Sequence, residues 1–76
     1  MNSYEERLQA IIRTTIGEFR GAKGLFAQSI GCDGRQLGMW LKGTRRPSQV
    51  YLDAMERNHK VNTRWLVTGE GEMFSV

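Results

Sequence analysis

Between Lys23 and Gly43 the chain has room for two short helices and almost nothing between them. Leu25, Phe26 and Ile30 keep helical spacing up to Gly31, and Leu37, Trp40 and Leu41 keep it from Asp33 to Gly43. Gly31 is a natural stop, because glycine takes positive φ without a Cβ penalty. Asp33 followed by Gln36 is a capping box, which starts the next helix at Gly34. Gly43 closes it. So short a connection forces the two helices to cross. Ala27, four residues before Gly31, is small enough to let them meet at close range.

The remainder reads as three more helices. Ser3 and Glu6 form a second capping box, and Leu8, Ile11, Ile12, Ile16 and Phe19 follow at helical spacing. This predicts a first helix from about Tyr4 to Glu18 or Phe19 with that stripe in the core. The second helix is expected over about Lys23–Ser29 with Leu25, Phe26 and Ile30 inward, and the third from Gly34 with Leu37, Trp40 and Leu41 inward. Pro47-Ser48 marks a turn and N-cap before a fourth helix, about Gln49–Asn58. Its apolar side is Val50 or Tyr51 with Leu52, Ala54 and Met55. Asn62 caps a fifth, Thr63 to about Val67, which buries Trp65 and Leu66 and stops at Gly69. The tail from Glu70 has no helical period, and no strand pair or internal repeat is visible. The expectation is one all-α domain of five helices over residues 1–76, with 70–76 a tail or the start of a linker.

Charge concentrates around the central pair. From Arg20 to Arg46 the bases Arg20, Lys23, Arg35, Lys42, Arg45 and Arg46 face a single acid, Asp33, whereas the segments on either side carry a slight acidic excess. A basic cluster of this kind is the electrostatic footprint of phosphate contact. Two crossing helices, the second with an outer face of arginine and glutamine, form the helix-turn-helix arrangement that offers a recognition helix to the DNA major groove.

Size and composition narrow the alternatives. Seventy-six residues suffice for a small helical core but not for a deep catalytic cleft. No apolar run approaches the ~20 residues of a membrane span, and the acidic N-terminus lacks the apolar stretch of a signal peptide. One cysteine allows no internal disulfide and fits a reducing cytoplasm. Cys32 reads as a small core residue. His59 has no partner at metal-ligand spacing. No serine has a recognisable histidine and carboxylate, and Ser3 and Ser48 read as caps. Trp40 and Trp65 read as core, and Gly69-Glu70-Gly71 lacks the lysine of a phosphate loop. The expectation is a protein without catalytic residues, metal, cofactor or small-molecule substrate.

Phe26-Ala27, Gly31, Leu37, Trp40 and Lys42-Gly43-Thr44-Arg45-Arg46-Pro47 resemble the lambda-repressor-like helix-turn-helix pattern. Val61-Asn62-Thr63-Arg64-Trp65-Leu66-Val67-Thr68-Gly69-Glu70-Gly71-Glu72-Met73 is similar to the segment that closes the DNA-binding domain of bacteriophage CI-type repressors. Together the two cover most of residues 22–73. The resemblance implies a five-helix domain that binds a two-fold operator as a homodimer and represses transcription, in the cytoplasm of a bacterial host at the nucleoid. It also implies either the DNA-binding part of a longer repressor or a complete small regulator. The sequence departs from the pattern at Ala22, where a polar N-cap is usual, and in the glycines Gly34 and Gly38 of the recognition helix.

Base edges should carry specificity and phosphates affinity. Arg35 can take guanine O6 and N7 together, and Gln36 adenine N6 and N7. Gly34 and Gly38 would let the backbone approach the bases, and Met39 could meet a thymine methyl. Lys23, Gln28, Lys42, Thr44, Arg45 and Arg46 are the phosphate candidates. Competing readings are an Asp33–Arg35 surface ion pair, capping duty alone for Gln36, and a solvated basic loop at Arg45-Arg46. The rival function is an antitoxin or protein-interaction module on the same fold, with Met73, Phe74 and Val76 either a contact strip or a cover for the domain's own core.

Overall fold

Ser3 opens the first helix reciprocally. Its hydroxyl accepts the Glu6 N–H at 3.1 Å, and the Glu6 carboxylate accepts the Ser3 N–H at 2.9 Å. In the computed structural model, which describes residues 3–75, this helix, α1, spans Tyr4–Thr15. It is followed by α2 (Ala22–Ile30), α3 (Gly34–Lys42), α4 (Gln49–His59) and α5 (Thr63–Thr68). The architecture is all-α with five helices, as the periodicity predicts.

α1 stops short of the expected Glu18 or Phe19. Ile16 caps it, and Gly17 leaves the helical region at φ 141°. The Thr14 and Thr15 hydroxyls donate back to the Ala10 and Ile11 carbonyls at 2.8 Å, which weakens a last turn. Phe19 is therefore not core. It is 52% exposed, with its ring laid against Gly17, where an added Cβ would stand 2.8 Å from a ring carbon. Leu25 also differs from expectation at 49% exposed, because the buried arc of α2 runs through Ala22, Phe26, Ala27 and Ile30.

The turns flanking α3 form as the sequence predicts. Gly31 takes φ 83°, its N–H donates to the Gln28 carbonyl at 3.3 Å, and the Cys32 N–H donates to the Ala27 carbonyl at 3.0 Å. Gly43 repeats this pattern at φ 81°, with the Thr44 N–H on the Met39 carbonyl at 3.0 Å. At the start of α3, Asp33 accepts the Gln36 N–H at 2.8 Å.

Three features of the second half depart from the sequence reading. Ser48 occupies the N-cap of α4, yet its hydroxyl makes no capping bond. α4 runs one residue past expectation and ends at Lys60, a non-glycine residue in the left-handed conformation at φ 59°. Residues 60–62 and the tail do pair: Val61 and Phe74 form an antiparallel bridge, the Asn62 N–H donates to the Met73 carbonyl and the Ser75 N–H to the Lys60 carbonyl, both at 2.8 Å. Met73 and Phe74 pack half-buried on the core; Val76 lies outside the described residues.

Leu8, Ile11, Phe26, Leu37, Met55, Val61 and Leu66 are fully buried and belong to one cluster drawn from all five helices and the α4–α5 connection. Cys32 joins it as expected, whereas Trp65 is only half-buried at its edge. On α4, Val50 is 70% exposed and Tyr51 turns inward against Trp40, ring centroids 5.2 Å apart. No helix among the described residues is long and apolar enough to cross a membrane.

α1 packs against α2, α3 and α5. On its α5 side lies a residue the sequence reading overlooked. Arg7 is only 9% exposed, and its guanidinium donates to the Leu66 carbonyl at 2.9 Å and the Val67 carbonyl at 3.4 Å. A cation thus caps the carbonyl end of a helix only six residues long. Arg7→Ala is expected to lower the unfolding free energy by about 2–3 kcal/mol, as measured by urea denaturation, since charge-assisted bonds are lost from buried carbonyls.

Candidate nucleic-acid interface

On a helix, residues three and four apart share a face. In α3 this places Arg35, Met39 and Lys42 in one row and Gly34 and Gly38 in the row beside it. Leu37 and Trp40 occupy the opposite, buried side. Gly34, Arg35 and Lys42 are exposed as predicted; Gly38 and Met39 are half-buried, shielded more than the periodicity suggested.

α2 contributes to the same region. Lys23 and Gly24 from its first turn line a groove of about 320 Å³ with Gly34, Gly38 and Lys42 of α3. The structure thus brings together two of the phosphate candidates, Lys23 and Lys42, on one groove whose lining includes three helical glycines along with Gln9, Leu37 and Leu41. A Cβ added at Gly24, Gly34 or Gly38 would meet nothing within 4 Å. Internal packing therefore gives no reason for glycine at these positions, although each costs up to about 1 kcal/mol of helix stability against alanine.

The basic side chains here are not neutralised from within. Among the described residues the ion pairs are Arg13–Glu18 at 3.7 Å and Arg64–Glu70 at 2.9 Å, and neither involves Arg20, Lys23, Arg35, Lys42, Arg45 or Arg46. The Asp33–Arg35 pair is absent, because the Asp33 carboxylate is spent on the cap. Gln28, Thr44 and Arg45 are exposed. Arg46 is exposed too, but its guanidinium carbon lies 4.2 Å over the centre of the Tyr4 ring.

Gln36 is placed differently from Arg35. It is half-buried, and its side-chain oxygen accepts the Asp33 N–H at 3.5 Å and the Tyr51 hydroxyl at 3.4 Å. Two-point reading of adenine needs that oxygen as well as the amide nitrogen. Capping is the role this geometry gives it. The Tyr51 contact spans fifteen residues, and no local signal announced it.

A serine and a histidine do meet, a contact of which the sequence carried no sign. Ser29 Oγ lies 2.7 Å from His59 Nε2, and the hydroxyl donates to the Phe26 carbonyl at 2.7 Å. With the serine proton committed there, Nε2 acts as the donor, the reverse of what nucleophile activation requires. The contact instead pins the end of α4 to α2, aided by stacking of His59 on Phe26 at 5.3 Å and an Asn58 amide bond to the Ser29 carbonyl at 2.8 Å. Cys32 is buried, and burial, then the Asp33 charge, push its thiol up, away from the thiolate form. Burial also pushes the Tyr4 phenol up to about 12, against the pull of Arg46 and Arg7.

Comparison with protein-family models, curated proteins and solved structures gives no match.

Burial holds the His59 imidazole below its ordinary value near 6.5. The unfolded chain then binds the proton more readily, so the stabilisation is complete above that value and is lost as pH falls through it. Unfolding free energy is expected to decline from pH 7 to 5.5, and His59→Gln to flatten the decline in chemical denaturation across that range.

Proposed function

We propose that this protein binds double-stranded DNA sequence-specifically, with α2 and α3 acting as a helix-turn-helix and α3 entering the major groove. The observation that carries the reading is the outer face of α3 with its neighbours. Five bases that form no ion pair among the described residues, Lys23, Arg35, Lys42, Arg45 and Arg46, surround a helix whose glycines the fold itself does not need. A bare backbone flanked by cations suits close approach to a polyanion.

Within this reading Arg35 and Met39 read base edges, and Gly34 and Gly38 admit the groove wall. Lys23, Gln28, Lys42, Thr44, Arg45 and Arg46 contact phosphates, and Gln36 serves as the cap that aims the first turn of α3. Repression, a two-fold operator, a homodimer on DNA and a cytoplasmic, nucleoid-associated phage or prophage role follow the resemblance to CI-type repressors. Half-sites then lie one helical turn, about 34 Å, or a multiple apart. Selection of bound sites from a random DNA pool tests sequence, symmetry and spacing together. Recovery of no enriched sequence refutes the specific-binding reading.

A second reading, a protein-docking or antitoxin module, draws on the exposed Phe19 beside a groove of about 380 Å³ that also takes in Ile12 and Ala22. It predicts DNA binding that is weak and flat in salt. DNA binding through the basic face predicts a steep salt dependence in a fluorescence titration at two ionic strengths.

Two sets of substitutions separate the roles. Replacing Arg45 and Arg46 with alanine is expected to weaken binding to all duplexes and lower the slope of log affinity against log salt by about 2. Arg35→Ala is expected to cost about 1–3 kcal/mol on the selected site and much less on random DNA. Equal losses on both would make Arg35 a phosphate contact only. Gly38→Ala should raise thermal stability, by up to about 1 kcal/mol, while weakening DNA binding. Unchanged affinity would remove the close-approach role.

A further inference from the structure

Among the described residues, Arg46 is the one base of the proposed phosphate set seen to rest on another side chain. Its guanidinium lies 4.2 Å above the Tyr4 ring, and Tyr4 is 4% exposed, so the platform is fixed in the core while the cation above it stays exposed. The connection between α3 and α4 is secured at both ends. The Gly43 turn starts it, with the Glu5 carboxylate so near that a Cβ at Gly43 would stand 2.9 Å from it, and Pro47 is buried at the other end. The Tyr4 hydroxyl is buried and has no hydrogen-bond partner among the described residues. The fold thus uses this tyrosine for its ring and not for its polar end.

The geometry points to Tyr4 as a positioning residue for DNA binding. It holds the Arg46 guanidinium over its ring at the surface, where the exposed cation can meet a phosphate. This rests on the DNA-binding reading above and adds the start of α1, remote in sequence from α3, to the interface. The ring attracts the cation without supplying a carboxylate, so the charge is left for a phosphate. A cation already held in one orientation loses less freedom when a phosphate arrives.

The test is a double-mutant cycle of Tyr4→Leu and Arg46→Ala, read as duplex dissociation constants under conditions where circular dichroism shows each variant folded. Tyr4→Phe is the control that keeps the ring. Tyr4→Leu is expected to weaken binding about 2–5-fold and to have no effect once Arg46 is alanine, while Tyr4→Phe stays within about twofold of the parent. Equal losses from Tyr4→Leu with and without Arg46, or no loss in a parent that binds DNA, overturn the proposal. A parent that binds no DNA overturns the DNA reading instead. The contact is read separately by proton NMR: the Arg46 Hδ resonances should be shifted upfield by the ring in the parent and Tyr4→Phe, and return to random-coil positions in Tyr4→Leu. Random-coil positions in the parent also overturn the proposal.

Discussion

The structure depends on burying one face of α3 against α1. α3 is nine residues long, shorter than a helix that persists alone in water, and carries glycine at two positions. Each glycine costs up to about 1 kcal/mol, whereas fully burying a large apolar side chain contributes about 1.5–3 kcal/mol. Leu37 and Trp40, both nearly inaccessible, therefore offset the glycines and leave the outer face free of structural duty. The capping box at Asp33 and the left-handed turn at Gly43 then set where the helix begins and ends. The tolerance for bare backbone outside is created by the packing inside.

The same economy recurs around the core. α5 has too few residues to hold its own carbonyl end, and Arg7 holds it from α1. The tail is tied through main-chain bonds to residues 60–62, and its apolar residues Met73 and Phe74 meet the core rather than stand away from it. The exposed bases stand apart from these supports. Of Lys23, Arg35, Lys42, Arg45 and Arg46, only Arg46 is engaged among the described residues, by a ring that supplies no opposite charge.

Much of this was legible from local chemistry. Ser3 with Glu6 and Asp33 with Gln36 mark helix starts, and Gly31, Gly43 and Gly69 mark stops, because caps act within four residues of themselves. The apolar spacing identified Leu8, Ile11, Phe26, Leu37, Trp40 and Leu66 correctly. It failed at Phe19 and Leu25, where periodicity continued after the helix had ended or fell just outside the buried arc. Of the candidate site, the exposure of Arg35 and Lys42 followed from the wheel, but the engagement of Gln36 by Tyr51 did not.

The sequence by itself determined the helices, most of their ends, most of the residues they bury and the placing of positive charge around α2 and α3. These are properties of neighbours along the chain. Only the tertiary structure decided that Arg7 caps α5, that Ser29 meets His59, that Val61 pairs with Phe74 and that Arg46 rests on Tyr4. Each of these joins residues far apart in the chain. An isolated arginine, histidine or tyrosine carries no sign of its distant partner until packing brings the two within reach.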